Sequence, residues 1–437
     1  MRASIIIPVW NGADVLPGCL DAIQEQAGND LFEIICVDNA SEDFSATLIA
    51  QGYPGVRLLR QPVNLGFAGG VNAGIDAARG GVLVLLNQDC IVQPGWLAAL
   101  GRALDAHPDL GVAGCTISRP DGTVDHVGAE IRRPDGHGLH LAQTADGQLQ
   151  EADFVTGAAM AIPRRALEAI GSFDEGFYPG YYEDADYCYR ARRRGFSVAC
   201  AAEARVIHLA RSKAWTEDTI KYHADHNLAR YRFVAKHFDS QETEEFFVAE
   251  LRNVAEEEYF DRAIGRAIAA RDLLRGLPDV LQRRGLDLAE PVSPAHRRHL
   301  QVGFARIWRQ GQAAAGQLLR IDLIPLPLQE RQAGMHHPPE TPAEEGATYE
   351  EEMRRLKQRE YEILRRLYPL GFSPGGRQAR LKQVGYRLGS LWRSLTGTNE
   401  VLQGELQAVR RALYLSHKEE LTRRLKLIET LLDYDYR

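Results

Sequence analysis

The chain has 437 residues, of which 45% are hydrophobic and 25% are charged, and its formal net charge is −7. These values are typical of a globular protein with two or three domains, and the acidic balance argues against a dedicated nucleic-acid-binding protein. The six cysteines stand singly with no C-x-x-C pair, which argues against structural zinc and suits a reducing compartment. No apolar run approaches the roughly 20 residues of a membrane-spanning helix. A cytoplasmic protein is the resulting prediction.

Strand-like and helix-like segments alternate through the first part of the chain. The predicted strands are apolar and partly β-branched, namely Ala3–Val9, Phe32–Val37, Val56–Arg60 and Val82–Leu86. The predicted helices are amphipathic, namely Asp14–Gln26, Asp43–Gln51, Phe67–Arg79, Pro163–Ile170 and Asp184–Arg194. This alternation predicts an α/β fold whose mixed sheet has helices on both faces. Residues 117–150 are rich in Gly, Asp and His, and they predict a hairpin or loop insertion.

The composition changes after about His237. Residues 241–320 have a mainly helical pattern, and the Pro-rich stretch that follows is typical of a linker. Beyond it, Tyr349–Tyr368 and Val401–Tyr434 predict long charged helices, which suit a helical hairpin or short bundle and offer a surface for self-association. The predicted organisation is an α/β domain at 1–238, a helical extension at 239–323, a linker at 324–345 and a C-terminal helical domain at 346–437.

Polar residues follow three predicted strands at the point where each strand ends. Asp38 follows the second strand, and Asn87, Gln88 and Asp89 follow Val82–Leu86. The first strand ends in Pro8, Val9, Trp10 and Asn11, of which Asn11 is polar. Because parallel strands bring their carboxyl ends to one edge of a sheet, these residues are expected around a common ligand. Asp89, with the oxygen of Asn87 two residues away, can hold a hard divalent cation, or it can be a loop carboxylate that points to water. Asp38 is equally suited to a ligand hydrogen bond and to an Asx-turn.

A glycine-rich segment runs from Asn64 to Gly74 and includes Gly66, Gly70 and Asn72. Its glycine spacing is not the G-x-G-x-x-G of a dinucleotide site, and it lacks the terminal Gly-Lys-Ser/Thr of a P-loop. The small residues predict close approach of a helix either to a nucleotide or to the sheet alone.

An acidic cluster and one histidine complete the set of candidate residues. Glu183, Asp184 and Asp186 lie at the predicted start of a helix, where a carboxylate can act as a general base or as a simple helix cap. Asp186 and Arg190 have the i,i+4 spacing of a structural ion pair. His208 ends a short apolar strand, where an imidazole can complete the metal site of Asp89 or can be purely structural.

Taken together, these segments resemble the family 2 inverting glycosyltransferases, which have the GT-A fold, and in particular a rhamnosyltransferase-like branch that builds bacterial cell-surface polysaccharides. The resemblance covers about residues 1–238. The motifs that carry it are Ser4 to Asn11, Val37 to Ser41, Asn64 to Phe67, Asn72 to Gly74, Leu85 to Asp89, Val155 to Ala158, Phe173 to Phe177 and Glu183 to Arg190. Asn87 departs from the Asp-x-Asp that other members of the family have at this position.

The resemblance implies a role for each matching residue. Asp184, with Glu183 beside it, would be the catalytic base, and Asp89, His208 and Asn87 would hold Mg²⁺ or Mn²⁺. The implied nucleotide-sugar-binding residues are Pro8, Trp10, Asn11, Asp38, Asn64, Gly66, Gly70, Asn72, Asn87, Gln88 and Gly157. The donor would be dTDP-rhamnose or a UDP-sugar, and the acceptor would be a saccharide or a lipid-linked saccharide.

Two other functions are compatible with the motifs taken singly. A nucleotidyltransferase has a similar sheet and metal site, but it usually needs a basic glycine-rich loop after the first strand, which this chain lacks. A non-catalytic nucleotide-sugar-binding scaffold is a third interpretation. Residues 377–395 predict a basic amphipathic helix that includes Trp392, which suits either peripheral contact with the inner face of the plasma membrane or a bundle helix with a solvated basic face.

Overall fold

The computed structural model describes residues 3–26, 32–142, 149–209, 219–288 and 292–321. The chain divides into two compact units, Met1–Leu318 and Leu319–Arg437. The predicted linker at 324–345, the C-terminal domain at 346–437 and the amphipathic segment 377–395 lie outside the described residues. The domain boundaries predicted from the sequence therefore stay predictions.

The first unit is built on a sheet of ten strands, with a separate two-stranded hairpin. The strands are β1 Ala3–Val9, β2 Phe32–Asp38, β3 Val56–Arg60, β4 Val82–Leu86, β5 Cys90–Val92, β6 Leu110–Ser118, β7 Val124–His126, β8 Ala129–Ile131, β9 Gly138–His140, β10 Leu149–Glu151, β11 Ala159–Pro163 and β12 Ser197–His208. The helices are α1 Leu16–Gln24, α2 Ser45–Gly52, α3 Gly66–Ala77, α4 Trp96–Ala106, α5 Arg164–Ile170, α6 Glu183–Arg193, α7 Thr219–His237, α8 Ser240–Ala255, α9 Phe260–Leu288 and α10 Pro294–Ile321. The β8–β9 hairpin confirms the insertion predicted within residues 117–150.

The main path through the sheet has the order β10-β12-β6-β11-β4-β1-β2-β3. Strands β3, β2, β1 and β4 are parallel neighbours, and β11 runs antiparallel to both β4 and β6. Because β11 is antiparallel to both β4 and β6, β6 runs in the same direction as β4. Strand β12 is parallel to β6 and therefore also runs in the direction of β4. The carboxyl ends of β1, β2, β4 and β12 and the amino end of β11 therefore lie along one edge of the sheet, as the sequence predicts for the first three.

Successive apolar side chains of the strands point to opposite faces of the sheet, so each face has an apolar layer. Ile6 and Ile35 belong to one buried cluster, whereas Ile5 and Ile7 belong to the other, because successive side chains of a strand point to opposite faces. Helices α1 and α4 cover one face, and α3, α5 and α6 cover the other. The predicted mixed sheet with helices on both faces is confirmed. Full burial of each isoleucine stabilises the fold by roughly 1.5–3 kcal/mol before entropic costs.

Helices α7 to α10 extend the core on the α6 side. Phe233, Phe246 and Phe304 come from three of these helices and share one apolar cluster with α6 and the sheet. Arg230 of α7 and Glu250 of α8 form a fully buried ion pair at 2.6 Å. A mainly helical region after the sheet is thus confirmed as far as residue 321. None of the described helices is long and apolar enough to cross a membrane.

Candidate active site

The ends of β1 and β4 are joined by a reciprocal pair of hydrogen bonds. The backbone N–H of Trp10 donates to Oε1 of Gln88 at 3.0 Å, and Nε2 of Gln88 donates to the carbonyl of Trp10 at 3.0 Å. A Cβ on Gly12 would lie 2.2 Å from Oε1 of Gln88, so a larger residue would displace this amide. The pair holds the loop after β1 against the loop after β4 and leaves the Trp10 side chain 54% exposed at the edge of the sheet.

The end of β2 is a compact turn. Asp38 is buried, and its Oδ1 accepts the backbone N–H of Ser41 at 3.1 Å, which is the Asx-type turn that the sequence allows. Ser41 in turn accepts the backbone N–H of Asn11 at 3.0 Å, so the loops after β1 and β2 are fixed to each other. Two of the predicted nucleotide-binding residues, Asn11 and Asp38, are thereby brought together with Ala40, whose φ is +57°.

The glycine-rich helix α3 approaches this turn closely. Nδ2 of Asn39 donates to the carbonyl of Gly66 at 3.0 Å, and a Cβ on Gly70 would lie 2.6 Å from the same Nδ2. Oδ1 of Asn39 is buried and has no hydrogen-bond partner among the described residues. Asn64 accepts the backbone N–H of Gly66 at 2.8 Å and fixes the start of the helix. Close packing against the strand ends explains why glycine is needed at position 70.

Gly66 also meets the loop that precedes α6. Its φ is +71°, and a Cβ there would lie 2.8 Å from the carbonyl oxygen of Pro179. The next residue, Phe67, donates its backbone N–H to the same carbonyl at 2.9 Å. Further along α3, Asn72 donates to the carbonyl of Phe173 at 3.0 Å and accepts the N–H of Phe173 at 2.9 Å. The amide of Asn72 therefore ties α3 to the segment before α6, and its predicted role in donor binding stays a prediction.

Asp89 and His208 meet at the end of the sheet. Oδ1 of Asp89 lies 3.1 Å from Nε2 of His208, and His208 faces Cys90 in the β5–β12 pairing. The backbone also holds the two segments together, because the N–H of Leu209 donates to the carbonyl of Asp89 at 3.0 Å. A cavity of about 440 Å³ lies beside His208, with Arg119, Asp121 and Asp125 among its lining residues.

One carboxylate oxygen and one imidazole nitrogen form a donor set that suits a divalent cation. Asp89, Cys90 and His208 place their ligand atoms within 4.8 Å of one another. Burial, reinforced by Asp89, holds the pKa of the Cys90 thiol well above its usual range, and the thiol donates to the carbonyl of Ala158 at 3.5 Å. Carboxylate oxygens suit Mg²⁺ and Mn²⁺ better than thiol sulfur does, which leaves Asp89 and His208 as the candidate pair. For Asn87 the structure gives only backbone contacts, with its N–H on Ala158 at 2.9 Å.

Asp184 is held at the same edge by the segment before β11. Its Oδ2 accepts the backbone N–H of Gly157 at 2.9 Å, and its Oδ1 accepts that of Ala185 at 2.7 Å. Burial raises the pKa of Asp184, while these two N–H groups oppose the rise. Gly157 is confined, since a Cβ there would lie 3.0 Å from the ring of Phe67. The structure therefore brings Asp184 and Gly157, two predicted site residues, into direct contact.

Glu183 occupies a different environment from its neighbour. Only 6% of the residue is exposed, and Oε2 has no hydrogen-bond partner among the described residues. Burial and the adjacent Asp184 hold the pKa of Glu183 well above its usual range. Two adjacent carboxyl groups of this kind do not both ionise readily, and the N–H groups on Asp184 favour its charged form over that of Glu183.

The two residues before α6 have a strained backbone. Tyr181 and Tyr182 have φ values of +75° and +64°, which cost non-glycine residues of the order of 1–3 kcal/mol each. The hydroxyl of Tyr182 donates to the carbonyl of Gly136 at 3.0 Å and accepts the N–H of Gly138 at 3.2 Å. The strained turn is thus fixed by the β8–β9 hairpin, which places the start of α6 against the inserted segment.

A buried charge network, of which the sequence predicts only the Asp186–Arg190 pair, fixes α6 to α7. Nζ of Lys236 lies 2.6 Å from Asp186 and 2.9 Å from Asp174, and Asp186 also pairs with Arg190 at 2.9 Å. Burial pushes the pKa of Asp186 up, but Lys236 and Arg190 overcome this and leave it well below its usual range. The spacing of Asp186 and Arg190 predicts their pair. Lys236 is fifty residues further along the chain, and only its position within an aromatic stretch of α7 hints at burial.

Residues 4–171 match the family model described as Glycosyl transferase family 2. This part of the chain is a family 2 glycosyltransferase domain. The predicted family and its GT-A fold class are confirmed. The match ends before α6 and β12, so Glu183, Asp184 and His208 lie beyond it, and their roles stay predictions.

Several curated relatives are similar in sequence to about half of this chain. It is 28% identical over 231 residues to the uncharacterized protein y4gI of Sinorhizobium fredii, a match that covers 49% of this chain and 25% of that protein. It is 27% identical over 222 residues to the O-antigen biosynthesis protein RfbC of Myxococcus xanthus, covering 47% and 17%. It is 26% identical over 229 residues to an N-acetylglucosaminyl-diphospho-decaprenol L-rhamnosyltransferase of Mycobacterium tuberculosis, covering 46% and 74%. The chain therefore spans a quarter or less of the first two relatives.

Solved structures of glycosyltransferases are also similar to the glycosyltransferase unit. A structure of GalNAc-T7 with UDP, GalNAc and Mn²⁺ is 17% identical with a TM-score of 0.49, and the match covers 59% of this chain and 51% of that one. A mannosyltransferase of Pyrobaculum calidifontis in complex with GDP-Man and Mn²⁺ is 19% identical with a TM-score of 0.40, covering 73% and 87%.

Proposed function

We propose that the domain transfers a sugar from a nucleoside-diphosphate donor to an acceptor hydroxyl with inversion, assisted by a divalent cation. The observation that carries the proposal is the contact of Asp89 with His208 on the same sheet edge as Asp184 and Gly157. A cation ligand pair and a carboxylate general base are the two groups that such a displacement needs.

Asp89 and His208 would hold Mg²⁺ or Mn²⁺ together with oxygens of the donor diphosphate. Magnesium is commonly bound by one or two protein ligands and completes its coordination with substrate phosphates and water, so a two-residue site suits it. When bound, the cation neutralises the negative charge that grows on the departing diphosphate. Asp38, Asn11 and the exposed ring of Trp10 lie on the loops that would contact the nucleoside.

Asp184 would act as the general base. Its carboxylate would take the proton of the acceptor hydroxyl while that oxygen bonds to the anomeric carbon. The bond from the anomeric carbon to the diphosphate oxygen breaks in the same step, and its electron pair leaves with the nucleoside diphosphate. The backbone N–H groups of Gly157 and Ala185 fix the carboxylate, which reduces the entropic cost of aligning base and acceptor. No activated nucleophile is required of the protein.

The biological setting belongs to the same proposal. Two relatives are named for O-antigen biosynthesis and for rhamnosyl transfer to a decaprenol-linked sugar. These names support a donor such as dTDP-rhamnose or a UDP-sugar, and an acceptor that is a saccharide or a lipid-linked saccharide of a bacterial cell-surface glycan.

The decisive experiment incubates the purified protein with UDP-, dTDP- and GDP-sugars and Mn²⁺, with and without pyrophosphate, and identifies the nucleotide product. A glycosyltransferase releases the nucleoside diphosphate, whereas a nucleotidyltransferase running in reverse with pyrophosphate releases a nucleoside triphosphate. We expect nucleoside diphosphate release that stops with EDTA and returns with added Mn²⁺. Binding of a donor without any turnover would instead favour a non-catalytic scaffold.

A further inference from the structure

A buried histidine at the end of β7 contacts the segment that holds the candidate base. His126 pairs with Ile117 of β6, and only 1% of the residue is exposed. Its Nε2 accepts the backbone N–H of Thr156 at 3.3 Å. The next residue, Gly157, donates its N–H to Oδ2 of Asp184 at 2.9 Å. His126 and Asp184 are therefore joined through two consecutive backbone N–H groups.

Residues 156–158 precede β11 and form a compact turn, which we call the Thr156 turn. Oγ1 of Thr156 accepts the N–H of Ala158 at 3.3 Å and closes the turn on itself. The carbonyl of Ala158 accepts the N–H of Asn87 at 2.9 Å, and Asn87 belongs to the loop of the proposed cation site. The Thr156 turn therefore contacts the loop of the cation site on one side and Asp184 on the other.

The contact with Thr156 determines which nitrogen of the His126 ring carries the proton. Nε2 accepts an N–H and so has a free lone pair, which places the proton of the neutral imidazole on Nδ1. Burial, reinforced by the ring of His140 at 4.7 Å, lowers the pKa of His126 to about 3, and the ring is neutral at neutral pH. Nδ1 is buried and has no hydrogen-bond partner among the described residues. An apolar side chain would avoid that cost, so the acceptor at Nε2 is what distinguishes histidine at this position.

We propose that His126 is a positioning residue, whose Nε2 holds the Thr156 turn so that the N–H of Gly157 points at the carboxylate of Asp184. The inference rests on the proposed role of Asp184 as general base, and it adds a group that does not touch the substrate. The N–H of Gly157 favours the ionised form of Asp184 and keeps the carboxylate in one orientation. Without Nε2, the N–H of Thr156 loses its acceptor, and the turn is no longer held in this orientation.

Two amide substitutions separate the acceptor atom from the rest of the side chain. The oxygen of a glutamine side chain can occupy the place of Nε2, whereas asparagine is shorter and reaches only the place of Nδ1. With the donor that the wild type turns over fastest, His126→Asn should lower kcat about ten-fold or more and change the donor KM less than about two-fold. His126→Gln should keep about half or more of the wild-type kcat. His107→Asn, at the exposed end of α4, is the matched control and should change neither constant.

The backbone amide of Gly157 gives a measurement that needs no turnover. Full-length protein labelled with [¹³C′]threonine and [¹⁵N]glycine gives carbonyl-selected amide signals only from Thr–Gly pairs. The sequence has two such pairs, Thr156–Gly157 and Thr396–Gly397. Thr396→Val removes the second signal and so identifies the first. Because the N–H of Gly157 donates to Asp184, its chemical shift follows the ionisation of that carboxyl group.

The pH titration of the Gly157 signal has an expected sign. Loss of the N–H contact favours the neutral form of Asp184, so His126→Asn should move the midpoint upward by about half a pH unit or more. The acidic limb of kcat/KM should move in the same direction. His126→Gln should keep the wild-type midpoint. The other titratable side chains that interact electrostatically with Asp184 are unchanged in these variants; they are Glu183, His140, Tyr182 and Cys188.

The outcomes separate a positioning role from a packing role. Circular dichroism and UDP affinity show whether each variant is folded. The proposal is overturned if His126→Asn keeps the wild-type kcat, if it keeps the wild-type midpoint, or if His126→Gln loses as much as His126→Asn does. If His126→Asn does not fold, [¹⁵N]histidine spectra of the wild type decide, with His126→Gln identifying the signal. A proton on Nε2 at neutral pH then overturns the proposal, and a proton on Nδ1 supports it.

Failure of the proposed function is a distinct result. The wild type would then release no nucleoside diphosphate from any donor, while the midpoint of the Gly157 signal would still move in His126→Asn and stay in place in His126→Gln.

Discussion

Two adjacent carboxyl groups at the start of α6 differ because their hydrogen bonds differ. Asp184 accepts two backbone N–H groups, whereas Oε2 of Glu183 is buried with no partner among the described residues. Hydrogen bonds from N–H groups favour the charged form of a carboxyl group, and burial without them favours the neutral form. The sequence places both residues at the site, but it does not indicate which one is ionised.

Replacing Asp184 by Asn should lower kcat by about 10²- to 10⁴-fold, because the amide cannot accept the proton of the acceptor. In the wild type, burial raises the pKa of Asp184 above 3.8, and only its ionised form is active. Activity should therefore be lost as the pH falls through a value above 3.8, and should be retained at higher pH. The measurement is kcat/KM against pH. An Asn variant that keeps more than a tenth of wild-type kcat would remove Asp184 as the base.

Substitution of either predicted metal ligand should weaken cation binding. Asp89→Ala and His208→Ala should each reduce the Mn²⁺ affinity at least ten-fold, since each removes one of two protein ligands. Cys90→Ala is a matched control within 4.8 Å, and it should leave affinity unchanged because thiol sulfur is a poor ligand for a hard cation. Calorimetric titration of Mn²⁺ in the presence of UDP gives the comparison. Equal losses in the Cys90 and Asp89 variants would contradict this ligand set.

At the level of elements, the position of α6 is fixed by a buried lysine of α7. Lys236 of α7 is the shared partner of Asp174 and Asp186, and all three side chains are almost fully buried. The sequence pattern places the acidic motifs, but periodicity alone does not pair residues that are fifty or more positions apart. The β8–β9 hairpin shows the same limit, since the sequence predicts its presence and not its contact with Tyr182.

Lys236→Met should destabilise the protein by up to about 3–5 kcal/mol, because it removes the cation that two buried carboxylates share and leaves Asp186 with Arg190 and Asp174 with Arg232. Lys221→Met on the same helix is the control. Lys221 pairs with Asp225 at the surface, with 65% of its side chain exposed, and its loss should cost less than about 1 kcal/mol. Urea unfolding followed by circular dichroism measures both changes. Similar midpoints for the two variants would show that the buried network contributes little.

At the scale of the whole molecule, the apolar core does not stop at the predicted boundary after residue 238. Phe233 lies before that boundary, and Phe246 and Phe304 lie after it, yet all three belong to one cluster. The ion pair of Arg230 with Glu250 crosses the same boundary. The helical extension therefore packs as part of the unit that contains the glycosyltransferase domain.

Truncation tests this continuity. A fragment of residues 1–321 should unfold cooperatively, because it contains the compact unit Met1–Leu318. A fragment of residues 1–238 should fail to unfold cooperatively, because Arg230 would be left without Glu250 and the apolar face of α7 would be exposed. Thermal unfolding followed by near-ultraviolet circular dichroism distinguishes the two. A cooperative transition for 1–238 would show that the extension is dispensable for folding.

The sequence by itself determined the α/β class, the first four strands to within one residue, and the strand-end positions of Asn11, Asp38 and Asp89. These follow from local chemistry, because apolar periodicity and chain-breaking residues act over a few positions. Only the tertiary structure decided that His208 reaches Asp89, that Gly157 holds Asp184, and that Lys236 supports α6. Such contacts join residues 27 to 119 positions apart, and close packing of the whole core, not local preference, selects them.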